Sequence, residues 1–144
     1  MRKFMFLFAF TAIAMFAKSQ TTGEQFTRCF TKTALCDNDG NQLGSYVEEK
    51  DCFIFNYEVN GNRYVKAITH QLEPVQLLLQ ISDAESGYAA NNEHYQYINT
   101  RDEEDGEDGA RVMFILYDNG ILLEQLFDDD ISTTNPQAGY IFYP

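Results

Sequence analysis

Residues Phe53–Thr69 read FIFNYEVNGNRYVKAIT, and this stretch decides the fold class of the chain. Both of its halves are rich in β-branched and aromatic residues, which favour strands over helices. Between the halves, Asn60 and Gly61 can both adopt positive φ, as the two central residues of a type I′ turn must. The stretch therefore predicts an antiparallel β-hairpin with a two-residue loop.

A two-residue loop would also fix which residues of this hairpin lie opposite each other. The predicted pairs are Glu58 with Arg63, Tyr57 with Tyr64, and Phe53 with Ile68. They join opposite charges, two aromatic rings and two apolar side chains, which are pairings that stabilise antiparallel sheets. The register thus supports the hairpin independently of the turn residues.

A second Asn-Gly pair, Asn119-Gly120, predicts another hairpin, between Arg111–Asp118 and Ile121–Phe127. Nearly every position of these two strands is apolar, so we expect them near the centre of the sheet and covered on both faces. With a two-residue loop, the opposing pairs would be Arg111 with Asp128 and Val112 with Phe127.

The remaining strand signals are weaker. They cover Thr27–Cys36, Ser45–Asp51, His94–Thr100 and Tyr140–Tyr143. In Val75–Ile81 the apolar residues alternate, which favours a strand, although Glu73-Pro74 could instead open a short helix near residues 73–82. The sequence predicts an all-β fold, an antiparallel β-sandwich or small β-barrel of about eight short strands. The strand order stays open.

The first nineteen residues have the three regions of a secretory signal peptide. Arg2 and Lys3 precede the apolar run Phe4–Phe16, and small residues at Ala17 and Ser19 predict cleavage before Gln20. The run is shorter than the roughly 18 residues that a membrane-spanning helix needs. With Ser-Gln after it, this Phe/Ala-rich run resembles export signals common in Gram-negative bacteria of the Bacteroidetes type. We therefore expect residues 1–19 to be removed and residues 20–144 to form a single β-rich domain. The domain would be exported to the periplasm or the extracellular space and have no membrane span of its own.

The charge balance excludes one class of partner. The chain has 10 Lys and Arg against 22 Asp and Glu, a net charge of −12. A surface this acidic repels phosphate backbones, which are bound through Lys and Arg, so we expect no nucleic-acid binding.

Three cysteines, Cys29, Cys36 and Cys52, follow the predicted signal peptide, and in an oxidising compartment one disulfide is expected. If Asn38–Leu43 is a hairpin loop, its register has three opposing pairs: Cys36 with Ser45, Lys32 with Glu49, and Cys29 with Cys52. An ion pair and a cysteine pair then coincide, so Cys29–Cys52 is favoured. The other two connectivities stay open.

One acidic segment between Arg101 and Arg111 is dense enough to suggest a ligand. Its six carboxylates are Asp102, Glu103, Glu104, Asp105, Glu107 and Asp108. Glycines allow such a loop to fold its oxygens around Ca²⁺, which takes six to eight oxygen ligands. A solvated acidic loop that only keeps the protein soluble is the favoured interpretation. We therefore assign no metal site and no cofactor, with Ca²⁺ as the open alternative.

Catalytic signals are sparse, and we assign no catalytic residue. His70 stands three residues before Glu73, and His94 follows Glu93, but neither pair belongs to a recognisable catalytic motif. The sequence favours an exported, strongly acidic, non-enzymatic β-rich binding domain whose partner is a protein, a glycan or a small ligand. Its long polar loops, Asp83–Glu93, Arg101–Gly109 and Asp128–Ala138, suit recognition.

Two alternatives to this function remain. One is an inhibitor or immunity-type protein that neutralises a basic toxin or hydrolase, steered by acidic residues such as Glu48, Glu49 and Asp51. The other is a small hydrolase with an unassigned Glu/His site.

Overall fold

The computed structural model describes residues 23–70, 74–102, 111–127 and 138–144. These residues form one antiparallel sheet of eleven strands. In chain order the strands are β1 (Phe26–Phe30), β2 (Lys32–Cys36), β3 (Gln42–Val47), β4 (Asp51–Val59), β5 (Asn62–Ile68), β6 (Val75–Gln80), β7 (Glu85–Tyr88), β8 (His94–Asp102), β9 (Arg111–Tyr117), β10 (Leu122–Phe127) and β11 (Ala138–Tyr143). Their spatial order is β1-β4-β5-β6-β8-β9-β10-β11-β2-β3, and β7 pairs with β8.

The predicted all-β, antiparallel class is confirmed, and the sheet is not closed into a barrel. Residues 75–80 form β6, so the predicted strand is confirmed, and the alternative of a short helix near residues 73–82 is wrong for the described residues 74–82. Alternating burial explains this result, because Leu78 faces the core while Leu77 and Leu79 face outward. Within the described ranges, no helix is long and apolar enough to cross a membrane.

The first predicted hairpin is confirmed at its turn. Asn60 and Gly61 have φ values of 51° and 82°, as a type I′ turn requires. The predicted opposing pairs, Tyr57 with Tyr64 and Glu58 with Arg63, are both present.

Farther from this turn the predicted register is wrong, since Phe53 lies opposite Ala67 instead of Ile68. The shift is a β-bulge at Asn56, which has a φ of 54°. Asn56 is held in this conformation from two sides. Its backbone amide donates to Gln80 Oε1 at 2.8 Å, and its side-chain amide donates to the Glu24 carbonyl at 3.0 Å.

The second hairpin forms where predicted, but its register differs by one residue. The opposing pairs are Arg111 with Phe127 and Val112 with Leu126. The cause is a three-residue loop rather than the predicted two-residue loop. Gly120 has a φ of 94°, and its amide donates to the Tyr117 carbonyl at 3.0 Å, which is a type I turn followed by a left-handed glycine.

The loop between β2 and β3 is built in the same way. Gly40 has a φ of 82°, and its amide donates to the Asp37 carbonyl at 3.1 Å. This shorter loop places Cys36 opposite Gln42, so the predicted Cys36–Ser45 pair is wrong. The predicted Lys32–Glu49 pair is wrong as well, because β3 ends at Val47. The Lys32 ammonium lies over the Tyr46 ring instead, 4.6 Å from its centroid.

The predicted strand Thr27–Cys36 is divided at Thr31 into β1 and β2. Its first half pairs with β4, and its second half pairs with β11 and β3. Because one short segment contacts strands that are far apart in the sheet order, the sheet must curl around an interior. The predicted strand Ser45–Asp51 is also divided, since Asp51 begins β4.

Phenylalanine rings fill this interior. The Phe53 ring on β4 lies 5.6 Å from Phe114 on β9 and 4.8 Å from Phe142 on β11, measured between centroids. A smaller cluster on the outer face contains Cys36, Ile115 and Leu123. The two clusters cover β9 and β10 on both faces, as their apolar sequences predicted.

The structure describes only part of the predicted polar loops. Asp83–Glu93 contains β7, so it is not a continuous loop. Arg101 and Asp102 belong to β8, whereas residues 103–110 and 128–137 lie outside the described residues. The predicted signal peptide also lies outside them.

Candidate functional site

The favoured disulfide is present. Cys29 and Cys52 are bonded and lie directly opposite each other on β1 and β4. The bond therefore links neighbouring strands of the sheet, not the two strands that flank the Asp37–Asn41 loop. Cys36 is the remaining thiol, and it is buried. Burial raises its pKa, and the nearby charges of Asp37 and Glu124 raise it further. Such a thiol is poorly suited to act as a nucleophile.

Most of the predicted acidic loop lies outside the described residues. Asp102 ends β8, opposite Leu78 on β6. The other five candidates are Glu103, Glu104, Asp105, Glu107 and Asp108, none of which the structure describes. Among the residues that it does describe, no group of His, Cys, Asp and Glu side chains is arranged to hold a metal ion. Binding of Ca²⁺ by this loop stays a prediction.

A polar cluster forms around Asp51, whose side chain is completely buried at the start of β4. Asp51 accepts hydrogen bonds from the Thr33 hydroxyl, from the His70 backbone amide at 3.1 Å and from His70 Nδ1 at 2.8 Å. The same Nδ1 atom lies 2.9 Å from Glu49 Oε2. The imidazole of His70 is therefore held by two carboxylates. Glu73, the carboxylate suggested by sequence spacing, lies outside the described residues.

The arrangement of this cluster differs from that of a hydrolytic triad. In a Ser-His-Asp triad the imidazole stands between the hydroxyl and the carboxylate, so that it can accept the hydroxyl proton. Here the carboxylate of Asp51 stands between the Thr33 hydroxyl and the His70 ring. This order suits a structural cross-link among β2, β4 and the end of β5, and it does not activate Thr33.

The second histidine is held at the surface. His94 Nδ1 lies 2.9 Å from the exposed Asp118 carboxylate, and the ring packs edge-on against Tyr88. Its sequence neighbour Glu93 accepts a hydrogen bond from the Asn119 amide instead. The His94–Glu93 pair suggested by the sequence is therefore replaced by a His94–Asp118 pair.

Glu124 on β10 is a further carboxyl group in the curled sheet, and the pKa of this group depends on its burial. It lies opposite Phe114 and Tyr140, and residues that lie opposite each other share a face of the sheet. Phe114 is fully buried in the interior, so Glu124 points inward as well. Burial, with a smaller contribution from the negative charge of Asp51, raises the pKa of Glu124 to about 7.

The raised pKa of Glu124 predicts a specific pH dependence of stability. In the unfolded chain the carboxyl group ionises near pH 4.5, and in the folded protein near pH 7. The folded state thus binds the proton more tightly, and stability falls as pH rises from about 4.5 to about 7. We expect this group to lower the free energy of unfolding by about 2 kcal/mol between pH 5 and pH 8.

Urea unfolding of the parent and of Glu124→Gln across this pH range tests the prediction. The amide keeps the shape of the side chain without ionising, so the pH dependence of the variant should be flatter. Glu58→Gln, at an exposed position on β4, serves as the control and should keep the parent slope. An equal slope in Glu124→Gln would show that the pH dependence has another origin.

Strand β3 presents the most open surface in the described part of the chain. All six of its residues, Gln42–Val47, are exposed, and among the described strands it pairs only with β2. Three of its side chains are large and apolar, namely Leu43, Tyr46 and Val47, each about half exposed. Neighbouring Leu35 on β2 is 54% exposed and lies opposite Leu43, which extends the apolar surface across both strands.

This surface, β3 with Leu35, is here named the β3 edge. Exposed edge strands are usually protected from pairing by charged residues, by proline, by a β-bulge or by a covering element. The sequence of β3, QLGSYV, has neither charge nor proline, in a chain with 22 acidic residues. Gly44 has a φ of 69° and lies where the register of β3 against β2 shifts, between Leu43 and Val47. Its carbonyl accepts a hydrogen bond from the Gln42 side chain at 2.9 Å, so the edge is irregular at this residue.

Acidic residues stand at both ends of the β3 edge. Asp37 and Asp39 precede the strand, and Glu48 and Glu49 follow it. One Asp37 oxygen accepts the amides of Asn41 at 2.8 Å and Asp39 at 3.0 Å. These hydrogen bonds, that from Asn41 above all, lower the pKa of Asp37 and keep its charge in a fixed place.

A polar cleft of about 500 Å³ offers a second candidate surface. Its lining includes Arg63, Asp83, Glu85 and Gln96, at the side of the sheet where β7 pairs with β8. Arg63 and Asp83 approach to 3.5 Å, and Asp83 is almost fully exposed. Exposed ion pairs of this kind contribute little energy, so this pair does little to fix the shape of the cleft.

Comparisons of the chain with protein-family models, with curated proteins and with solved structures found no match.

Sequence reasoning missed the Asp51 cluster and the β3 edge. The signal for Glu124 was present, since it interrupts the apolar run Ile121–Phe127, and so was the signal for β3, an uncharged segment between acidic pairs. Nothing in the sequence indicated that His70 would meet Asp51 or that β3 would lie at the edge of the sheet.

Proposed function

We propose that this protein is an exported, acidic, non-enzymatic interaction domain that binds a partner protein at the β3 edge. The partner would add an extended segment to β3 as a further strand. The observation that carries the proposal is a six-residue strand that is exposed throughout, uncharged and paired on one side only among the described strands.

Strand addition suits this edge for two physical reasons. The backbone of an added strand would hydrogen-bond to β3, while its alternate side chains would contact exposed apolar groups. Leu35, Leu43 and Val47 supply such groups, and each is more than half exposed. Covering them would remove apolar area from water, which is the main source of affinity in most protein–protein association.

Two observations support the other parts of the proposal. A disulfide such as Cys29–Cys52 is typical of proteins in oxidising compartments, which supports export. The order of groups in the cluster, with Asp51 between Thr33 and His70, supports a structural role for this His/Glu site instead of hydrolysis.

The alternative of an inhibitor or immunity-type protein would use the same edge. Asp37 and Asp39, in the loop before β3, favour a basic partner, as that alternative requires. The two proposals differ in the consequence of binding, because only an inhibitor would abolish an activity of its partner. Assaying the identified partner with and without this protein distinguishes them.

Site-specific photo-cross-linking in the producing cells tests the proposed function. A photoreactive phenylalanine at Ser45, on β3, should give a cross-linked product of one discrete mass. The same residue at Glu58, exposed on β4, is the matched control and should give none. Adding Leu43→Lys to the Ser45 variant should abolish the product, because a lysine on an edge strand opposes the addition of a further strand.

The partner identified from this product is then purified and tested directly. Its addition should slow amide hydrogen exchange in β3 of the unmodified protein. Equal cross-linking at both positions, or exchange in β3 that does not change, would contradict the proposal.

A further inference from the structure

We propose that Asn60 is a site of spontaneous deamidation, which converts this residue in the turn between β4 and β5 to aspartate or isoaspartate. Deamidation is fastest at an asparagine followed by a glycine, because no side chain of the next residue then hinders its amide nitrogen. The sequence has two such pairs, Asn60-Gly61 and Asn119-Gly120. The fold leaves the first pair reactive and protects the second. This inference is independent of the proposed function of the β3 edge.

The reaction is an attack of the Gly61 backbone nitrogen on Cγ of the Asn60 side chain. Hydroxide removes the proton from the Gly61 amide, and a bond forms between that nitrogen and Cγ. The side-chain nitrogen takes a proton from water and leaves as ammonia. Water then opens the resulting succinimide ring at either carbonyl carbon, which gives aspartate or isoaspartate. Water is the only reactant consumed, and no atom is oxidised or reduced.

The type I′ turn leaves both reacting groups of the first pair free. Asn60 is exposed, and its side chain makes no hydrogen bond to any described residue. Gly61 is exposed as well, and its amide donates no turn hydrogen bond within the described ranges. A Cβ added at Gly61 would meet no atom within 4 Å, so the space around this residue is open. The two groups therefore meet after a local rotation that breaks no hydrogen bond of their own.

The second pair is held in place by its longer loop. The Gly120 amide, which would be the nucleophile, donates to the Tyr117 carbonyl at 3.0 Å. The Asn119 side chain is held too, because its Oδ1 atom accepts the Ile121 amide at 3.0 Å. Both bonds must break before the Gly120 nitrogen can reach Cγ of Asn119. A third hydrogen bond, from the Asn119 amide to Glu93 Oε1 at 3.1 Å, stabilises the loop further.

The two products should affect the first hairpin differently. Asn60 has a φ of 51°, a conformation that aspartate tolerates nearly as well as asparagine, so the aspartate product keeps the turn. Isoaspartate runs the backbone through Cβ and Cγ, which lengthens a loop that has only two residues. The pairs Glu58 with Arg63 and Tyr57 with Tyr64, which depend on that loop, should therefore be weakened.

Peptide mapping of the folded protein after incubation at mildly alkaline pH tests this inference. Chromatography separates the asparagine, aspartate and isoaspartate forms of each peptide, and mass spectrometry identifies them. Deamidation at Asn60 should be about tenfold faster than at Asn119, because the hydrogen bonds at Asn119 raise the barrier. Protein unfolded in guanidinium chloride should react at similar rates at both residues. Equal rates in the folded protein, or a faster rate at Asn119, would overturn the inference.

A pair of matched variants shows that hydrogen bonds cause the difference. Glu93→Ala removes the acceptor of the Asn119 amide, so it should speed deamidation at Asn119 and leave the rate at Asn60 unchanged. Glu48→Ala, at an exposed position, is the control and should change neither rate. An unchanged rate at Asn119 in Glu93→Ala would contradict the protection by this loop.

Hydrogen exchange tests the consequence for the hairpin. Asn60→Asp supplies the aspartate product directly and should keep slow exchange in the strand ends that flank the turn. The isoaspartate form, isolated from the incubated parent, should exchange faster at the same amides. Equal exchange in the two forms would show that the lengthened loop does not disturb the pairing and would overturn this part of the inference.

Discussion

Asp51→Ala should lower the free energy of unfolding by about 3–5 kcal/mol. Asp51 is completely buried, and the alanine would remove the acceptor for the Thr33 hydroxyl and for two N–H groups of His70. The Thr33 hydroxyl and the His70 amide would lose the acceptor that now satisfies them, whereas His70 Nδ1 would keep Glu49 Oε2 at 2.9 Å. Urea unfolding monitored by tyrosine fluorescence measures the loss.

Two controls separate this effect from a simple loss of charge. Asp83→Ala removes an aspartate that is 96% exposed, and the free energy of unfolding should change by less than about 0.5 kcal/mol. Asp51→Asn keeps one acceptor oxygen and should fall between the parent and Asp51→Ala. A stability of Asp51→Ala close to that of the parent would show that the cluster does not support the fold.

Loss of the Cys29–Cys52 disulfide should lower the free energy of unfolding by about 2–4 kcal/mol. The bond closes a loop across a sequence separation of 23 and ties β1 to β4, its only partner among the described strands. The chain without the bond has a larger unfolded ensemble, so folding costs more conformational entropy. Thermal unfolding of the parent with and without reductant, and of the variant with Cys29→Ser and Cys52→Ser, measures this loss.

Thiol labelling provides the internal check. Without reductant, the unfolded parent should take up alkylating reagent at Cys36 alone, and the folded protein should react slowly because Cys36 is buried. The double serine variant should be insensitive to reductant. A melting temperature of the parent that reductant leaves unchanged, with the bond shown to be broken, would contradict the prediction.

The sequence predicted some contacts of the candidate site and not others. The Cys29–Cys52 pair was favoured correctly, although the strands that bring it together are β1 and β4 and not a hairpin around Asn38–Leu43. His70 contacts the carboxylates of Asp51 and Glu49, and His94 contacts the carboxylate of Asp118. Spacing in the sequence finds neighbours along one strand, whereas these contacts join different strands.

Local chemistry by itself determined the type of structure. Alternating and β-branched residues made strands, and Asn60-Gly61, Gly40 and Gly120 made turns, because these properties depend on one residue and its neighbours. The net charge of −12 was likewise a property of composition alone.

Tertiary structure decided the register, the position of each strand and the place of each polar side chain. One additional residue at the Asn56 bulge and one in the Asp118–Gly120 loop each shifted the strand pairing by one residue. The break at Thr31 sent β1 and β2 to different neighbours, which curled the sheet and left β3 at its edge. Burial of Asp51 and the raised pKa of Glu124 followed from that curl, because burial depends on which strands meet across the interior and not on the residues beside them in the chain.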